Sequence, residues 1–355
     1  VFCGGGTPSL HTAEELGRVL QACRESFDFQ PREVTLEANP GTVSLEQLQQ
    51  LRGHGFNRIS LGVQTFRVEL LQRLNRIHSA EEVEQAVAWA RQSGFDNLSL
   101  DLIYGLPGQS GEDWESTVER ALQLQPNHLS IYQLTVESGT HLEVQLRRGE
   151  FSLPDEDRSW EMDRWMRRRL QRAGMRRYEI SNFAMPGFES RHNLVYWRDR
   201  TYLGLGCGAT GYVAGWRMRR LLHPFAYRQA LARGASPVIS AERRDAEGAL
   251  RDFLMMGLRT RWGVPLSQLR RRFPTLEMGR LRSFLERLPA DWWVLDEKKL
   301  RLTAKGSDFV SSLCEALMDV LLLEVGESAA TGPGGAGAED RGLALAEVAS
   351  AFASK

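Results

Sequence analysis

Apolar and polar positions change period in regular blocks along the first half of the chain. Short runs rich in β-forming residues, Val34 to Ala38, Arg58 to Val63, Leu98 to Tyr104 and His128 to Val136, predict strands. The stretches between them carry helical periodicity, and three open with capping-box pairs: Thr12 with Glu15, Ser44 with Gln47, Ser79 with Glu82. In the third, Val83, Ala86, Val87 and Ala90 form one apolar stripe, and Gly55 and Gly94 stand where helices should end. Repeated strand–helix units predict a parallel sheet with helices outside it. Polar residues recur near the strand C-termini, which favours an α/β part-barrel over a doubly wound sheet, because a barrel gathers those ends into one mouth.

The pattern then changes. A helix is predicted over 155–173 and a further strand over 177–183. After Gly187 the chain reads as irregular, with the glycines Gly204, Gly206, Gly208 and Gly211. From Ala241 helices dominate, with a hairpin over 292–302 and a last helix over 306–323, a small winged-helix-like module. The predicted division is 1–186, a part-barrel; 187–240, an irregular segment; 241–325, a helical domain; and 326–355, an Ala/Gly-rich disordered tail with a weak helix over 343–352.

Composition narrows the function classes. Lys and Arg total 45, as do Asp and Glu, so no global field recruits nucleic acid or an acidic membrane. Arg167, Arg168, Arg169 and Arg172 share a helix with Asp155, Glu156, Asp157, Glu161 and Asp163, and with Arg176 and Arg177 just beyond it they read as a solvated face. No apolar run approaches the ~20 residues of a membrane span. Cys3, Cys23, Cys207 and Cys314 form no CxxC and no zinc spacing, and read as small buried hydrophobes in a reducing, cytoplasmic setting.

The candidate chemistry lies at the strand ends. Gly4-Gly5-Gly6-Thr7-Pro8 follows a strand stub and permits close backbone approach to a ligand; alone it fits a phosphate or a plain tight turn, but it lacks the P-loop lysine. Glu37, Gln64 and Asp101 are polar residues on otherwise apolar strands, at or near their ends. An unpaired carboxylate there costs several kcal/mol, so each needs a partner. Three in successive units beside a glycine turn point to one ligand offering donors, and Arg76 supplies a cation for a carboxylate. An amino acid joined to a nucleoside meets these requirements.

These strings, GGGTP, TLEANP, RISLGVQTF, LNRIH and LDLIYGLPG, resemble radical S-adenosylmethionine (SAM) proteins, above all the oxygen-independent coproporphyrinogen dehydrogenases and the HemW heme chaperones, from Val1 to about Val325. The resemblance implies that Gly5, Gly6, Thr7, Glu37, Gln64, Arg76 and Asp101 hold SAM. It also implies a [4Fe–4S] cluster on a CxxxCxxC motif just before the glycine turn. This chain opens at Val1 inside the strand that follows that motif, which reads as an N-terminal truncation removing the first barrel strand. Cys3 reads as buried wall, and cluster-dependent chemistry is not expected of this chain.

The segment HNxxYW, His192 to Trp197, resembles the heme-chaperone branch. The resemblance implies heme-iron ligation by His192, ring contacts from Tyr196 and Trp197, and a propionate partner in Arg191 or Arg198. Thr210 stands where relatives usually carry His. The implied function is a heme chaperone serving an apo-hemoprotein, with no nucleic-acid partner. The alternative is a coproporphyrinogen dehydrogenase that abstracts hydrogen through a deoxyadenosyl radical.

Overall fold

The computed structural model describes residues 1–322; the predicted tail, 326–355, and the weak helix within it lie outside the described residues. The chain forms two compact units, Val1–His192 and Asn193–Lys355.

The first unit is built on strands β1 (Phe2–Cys3), β2 (Thr35–Ala38), β3 (Arg58–Gln64), β4 (Asn97–Tyr104), β5 (His128–Gln133), β6 (Arg176–Arg177) and β7 (Asn182–Ala184). Its helices are α1 (Ala13–Ser26), α2 (Leu45–His54), α3 (Val68–Arg73), α4 (Ala80–Gln92), α5 (Gly111–Gln123), α6 (His141–Arg147) and α7 (Glu156–Arg172). The sheet order is β1-β2-β3-β4-β5-β7-β6, with β1 to β5 parallel and β7 antiparallel to both β5 and β6. The α/β part-barrel pattern therefore holds over five strands.

The strands alternate more strictly than the sequence reading allowed. Leu36, Ile59, Leu61, Leu98, Leu100 and Leu129 join one apolar core with Leu20, Leu48, Leu51, Val83, Trp114 and Val118 from the helices. The opposite face carries Thr35, Glu37, Arg58, Ser60, Ser99, Asp101, His128 and Ser130, and six of these are buried: Thr35, Arg58, Ser60, Ser99, His128 and Ser130. Polar residues are thus one whole face of the sheet, and not interruptions at its end.

Capping explains where the helices start. The boxes at Thr12–Glu15 and Ser79–Glu82 are complete, and Ser110–Asp113 makes a third that the sequence reading passed over because Asp replaces Glu. At Ser44 only half the box forms: the side-chain amide of Gln47 donates instead to the carbonyls of Ser9 and His11, both at 2.9 Å, tying α2 to the loop before α1. The helix predicted over 155–173 is α7, with its arginines paired to acids: Arg167 lies 2.6 Å from Asp163, and Arg169 donates to Glu119 on α5 at 2.8 Å.

Three expectations are corrected. The single strand over 177–183 is instead two short strands joined by a turn at Glu179 to Ser181, where the Glu179 carboxylate accepts from the Ser181 N–H at 2.8 Å and Arg177 donates to the carbonyl of Ile180 at 2.7 Å. The segment over 187–240 is not irregular throughout: residues 210–240 carry strands and a helix described below, and residues 191–197 form helix α8 (Arg191–Trp197). Its opening N–H groups, on Arg191 and His192, donate to the two carboxylate oxygens of Glu33, both at 3.0 Å. That cap comes from more than 150 residues away, so local sequence could not announce it. Finally, Cys3 and Cys23 are half-buried and Cys314 buried, but Cys207 is exposed.

The second unit contains an antiparallel sheet of β8 (Thr210–Val213), β9 (Trp216–Arg220) and β10 (Val238–Arg243), with α9 (Pro224–Ala232) between the last two. The predicted helical module follows as α10 (Ala246–Leu258), β11 (Val264–Pro265), α11 (Leu266–Arg272), α12 (Met278–Glu286), the hairpin β12 (Trp293–Leu295) and β13 (Lys299–Leu302), α13 (Ala304–Ser307) and α14 (Val310–Leu322). A three-stranded sheet in the order β11-β13-β12 packs with these helices, as in a winged helix. No helix among the described residues is long and apolar enough to cross a membrane.

The polar face is held by a buried chain of hydrogen bonds. Ser99 Oγ lies 2.8 Å from His128 Nδ1, His128 Nε2 lies 2.8 Å from the Tyr178 hydroxyl, and that hydroxyl accepts from the Ser190 N–H at 3.3 Å. Tyr178→Phe strips two buried groups of their partner and should cost about 1–3 kcal/mol by chemical denaturation; an unchanged midpoint would show that the chain contributes nothing. Burial, helped by the Arg58 charge, pulls the His128 pKa well below the usual 6.5. The unfolded chain then binds a proton that the folded chain refuses, so stability is intact above pH 6.5 and declines as pH falls below it, by up to about 1.4 kcal/mol per pH unit for this group. Urea melts at stepped pH should show that slope, and His128→Gln should flatten it.

Candidate functional site

The glycine turn leaves β1 and runs against the end of β2. A Cβ on Gly4 would stand 2.5 Å from the Glu37 carboxylate, so only glycine fits there. The N–H of Gly5 donates to that carboxylate at 3.2 Å. Gly5 and Gly6 adopt φ of 85° and 111°, and the space beside both is open. Thr7 is fixed by Asn39, whose amide donates to its hydroxyl at 3.2 Å, and the Asn39 carbonyl oxygen in turn accepts from Arg76 at 3.1 Å. Asn39, in the TLEANP string, is the linking residue that sequence reading missed; a polar residue one step beyond a strand end was its only signal.

Gln64 ends β3 with φ of 66°, in the left-handed region, directly after a register shift against β4. Its amide and the Asn39 carbonyl oxygen both crowd Gly62, at 3.1 and 3.2 Å from where a Cβ would be. Asp101 accepts from Ser60 Oγ at 3.0 and 3.2 Å, and the hydroxyls of Ser130 and Ser99 also serve it. Burial pushes the carboxyls of both Glu37 and Asp101 above the usual range, and for Glu37 the neighbouring Asp101 charge adds to the rise. The structure thus brings Gly5, Gly6, Thr7, Glu37, Gln64, Arg76 and Asp101 to one end of the sheet.

Glu33 precedes β2, its carbonyl accepts from the Val1 amino group at 2.6 Å, and its carboxylate caps α8, so the backbone of His192 is anchored where β2 begins. The His192 ring stacks on Phe2 at 4.0 Å with the planes 10° apart. Burial lowers its pKa to about 4, leaving a neutral imidazole. Tyr196 and Trp197 follow on the same helix, Tyr196 edge-on to Tyr202 at 4.6 Å. Arg191 lines a cavity of about 240 Å³ with Arg32, Arg52 and Glu33, whereas Arg198 lies over the Trp262 ring at 5.4 Å. Thr210 is exposed at the start of β8.

The donor set fits SAM in its chemistry: Glu37 and Asp101 can accept from an ammonium group and hydroxyls, and Arg76 can pair with a carboxylate. The residues of this chain do not fit a [4Fe–4S] cluster. Among the described residues no three His, Cys, Asp or Glu side chains gather to hold a metal, and burial raises the Cys3 thiol to about 11, far from the thiolate a cluster needs.

Comparison with known proteins agrees with this geometry. The radical SAM superfamily profile matches residues 1–121, and the HemN C-terminal domain profile matches residues 245–309. The chain is 35% identical to the heme chaperone HemW of Lactococcus lactis, over 90% of this chain and 84% of that protein. It is 39% identical to the heme chaperone HemW of Mycobacterium tuberculosis, over 76% of this chain and 69% of that protein. The crystal structure of coproporphyrinogen III oxidase (HemN) from Escherichia coli superposes with a TM-score of 0.75 at 23% identity, over 89% of this chain and 76% of that one, a likeness of fold. With its sheet, its glycine cradle and relatives matched over most of their length, this chain belongs to the HemW family of the radical SAM superfamily.

Proposed function

We propose that this chain is a heme chaperone: it binds heme and passes it to an apo-hemoprotein, and its first unit holds SAM. The observation that carries this reading is the likeness to heme chaperones over nine-tenths of the chain, a span that includes the His192 helix. Glu37 and Asp101 accept from the amine and ribose of SAM, the Gly5–Thr7 backbone lies along its methionyl part, and Arg76, oriented by Asn39, meets its carboxylate. SAM so held supplies a regulatory ligand. The radical SAM superfamily also implies a [4Fe–4S] cluster, for which the four cysteines of this sequence form no CxxxCxxC motif.

His192 would ligate the heme iron in this reading, since burial favours its neutral imidazole, the form that binds metal. Tyr196 and Trp197 supply ring contacts to the porphyrin. The four unpaired cysteines support a reducing, cytoplasmic location. The second reading, a coproporphyrinogen dehydrogenase, draws on the likeness of fold, and the HNxxYW helix favours the chaperone.

Two measurements follow. Glu37→Gln removes a charged acceptor and should weaken SAM binding, followed by calorimetry, by roughly tenfold or more; equal affinity would remove Glu37 from the cradle. In a heme titration, His192→Ala should shift the Soret band and weaken binding, while Tyr196→Phe should change little. An unchanged spectrum and affinity in His192→Ala would show that another residue ligates the iron.

A further inference from the structure

Arg58 opens β3 on the polar face of the sheet and is only 2% exposed. It shares a rung with Thr35 and Asn97. Within that rung Thr35 Oγ1, Arg58 Nε and Asn97 Oδ1 are buried without a hydrogen-bond partner among the described residues. No carboxylate among the described residues forms an ion pair with Arg58. A buried guanidinium is costly unless something else compensates it. The candidates stand higher on the same face: Glu37 two residues beyond Thr35 on β2, and Asp101 four residues beyond Asn97 on β4.

We propose that Arg58 is a positioning residue for the SAM cradle, a buried cation that favours the ionised forms of Glu37 and Asp101 without touching them and so fits them to the cationic groups of SAM. The inference rests on the SAM reading of that cradle. In that reading Arg76 meets the carboxylate of SAM, and the ammonium and sulfonium are left to the two carboxylates. Without Arg58, two desolvated carboxylates would face each other, and like charges in a low-dielectric site cannot both ionise cheaply. The other groups around the three are few. Glu37 faces Asp101 and Arg58; Asp101 faces Arg58, three serine hydroxyls and, from β5, Tyr132; Arg58 also acts on His128 and His192, both kept neutral by burial. The Arg58 charge favours the ionised form of each carboxylate, against the burial that raises its pKa.

The sign of the test follows. Arg58 opposes the rise in the two carboxyl pKa values, so removing it moves them higher. At low pH the variant's carboxyls take up protons and lose the cationic ligand. At high pH they ionise regardless, and a charge that repels SAM has gone. SAM affinity of the full chain is measured for wild type, Arg58→Gln and Arg58→Lys along a pH series from mildly acidic to mildly alkaline. Arg58→Gln should bind about tenfold more weakly at the acidic end, and as tightly as wild type or more so at the alkaline end. Arg58→Lys should follow wild type. A loss of equal size across the series, or a lysine variant as deficient as glutamine, would overturn the proposal, because a packing role has no pH dependence. The carboxylic-acid infrared band gives a readout without ligand. Assigned by its disappearance in Glu37→Gln and Asp101→Asn, it should persist to higher pH in Arg58→Gln than in wild type. If wild type binds no SAM, the cradle reading fails while this band still decides on Arg58; a band that titrates identically in wild type and Arg58→Gln sinks the role of Arg58 alone.

Discussion

A sheet that is apolar on one face and polar on the other, with both faces buried, is the constraint from which the first unit follows. The apolar face recruits the helices, since Leu36, Ile59, Leu61, Leu98 and Leu100 are all removed from water against them. The polar face cannot be left to itself. Each hydroxyl, imidazole and carboxylate on it costs free energy unless another group answers it. Serines serve Asp101, His128 is held between Ser99 and Tyr178, and Gly5 answers Glu37. Ligand binding and stability therefore draw on the same set of residues.

The two ends of that sheet have been put to different uses. Where the parallel strands finish, the chain turns through glycines, a left-handed Gln64 and the Thr7–Asn39–Arg76 relay. Gln64 takes a left-handed backbone there, and so does Asn75 directly before Arg76. Where the strands begin, Glu33 fixes helix α8 by its first two N–H groups and holds His192 against Phe2. A carboxylate at a helix N-terminus is favourable electrostatically as well as by hydrogen bonding. The same residue also accepts from the Val1 amino group through its carbonyl, so one glutamate organises the beginning of β2 and the start of the histidine helix.

In the second unit, charge takes over part of the work that the apolar core does in the first. Asp199 follows the HNxxYW segment with φ of 48° and accepts from Arg244 at 2.9 Å and from Arg272 at 2.5 Å. Arg244 also donates to Asp252 at 2.6 Å and lies over the Tyr212 ring at 4.0 Å. Arg244 and Asp199 are both only 7% exposed at their side chains, so the network is screened little by solvent and salt. It joins the segment after α8 to the β-sheet and to α10.

The sequence by itself determined the features that depend on near neighbours. Short runs of β-forming residues placed β2 to β5, serine and threonine caps placed α1 and α4, and the GGGTP, TLEANP and RISLGVQ strings marked the cradle, because those signals are local in physics as well as in sequence. What only the tertiary structure decided is whatever depends on a partner far along the chain. The helical state of 191–197 depends on Glu33, a cap that no neighbour supplies. The break within 177–183 depends on Glu179 and Arg177 bending the chain back while β7 finds β5 in the opposite direction. Asn39 becomes a cradle residue only when Thr7 and Arg76 arrive on either side of it. Arg58 looks in sequence like the solvated first residue of a strand, and only the closing of the polar face over it makes it a buried charge. Burial and electrostatic pairing are properties of the folded neighbourhood, so a sequence can name the residue type while leaving its ionisation and its partner to the fold.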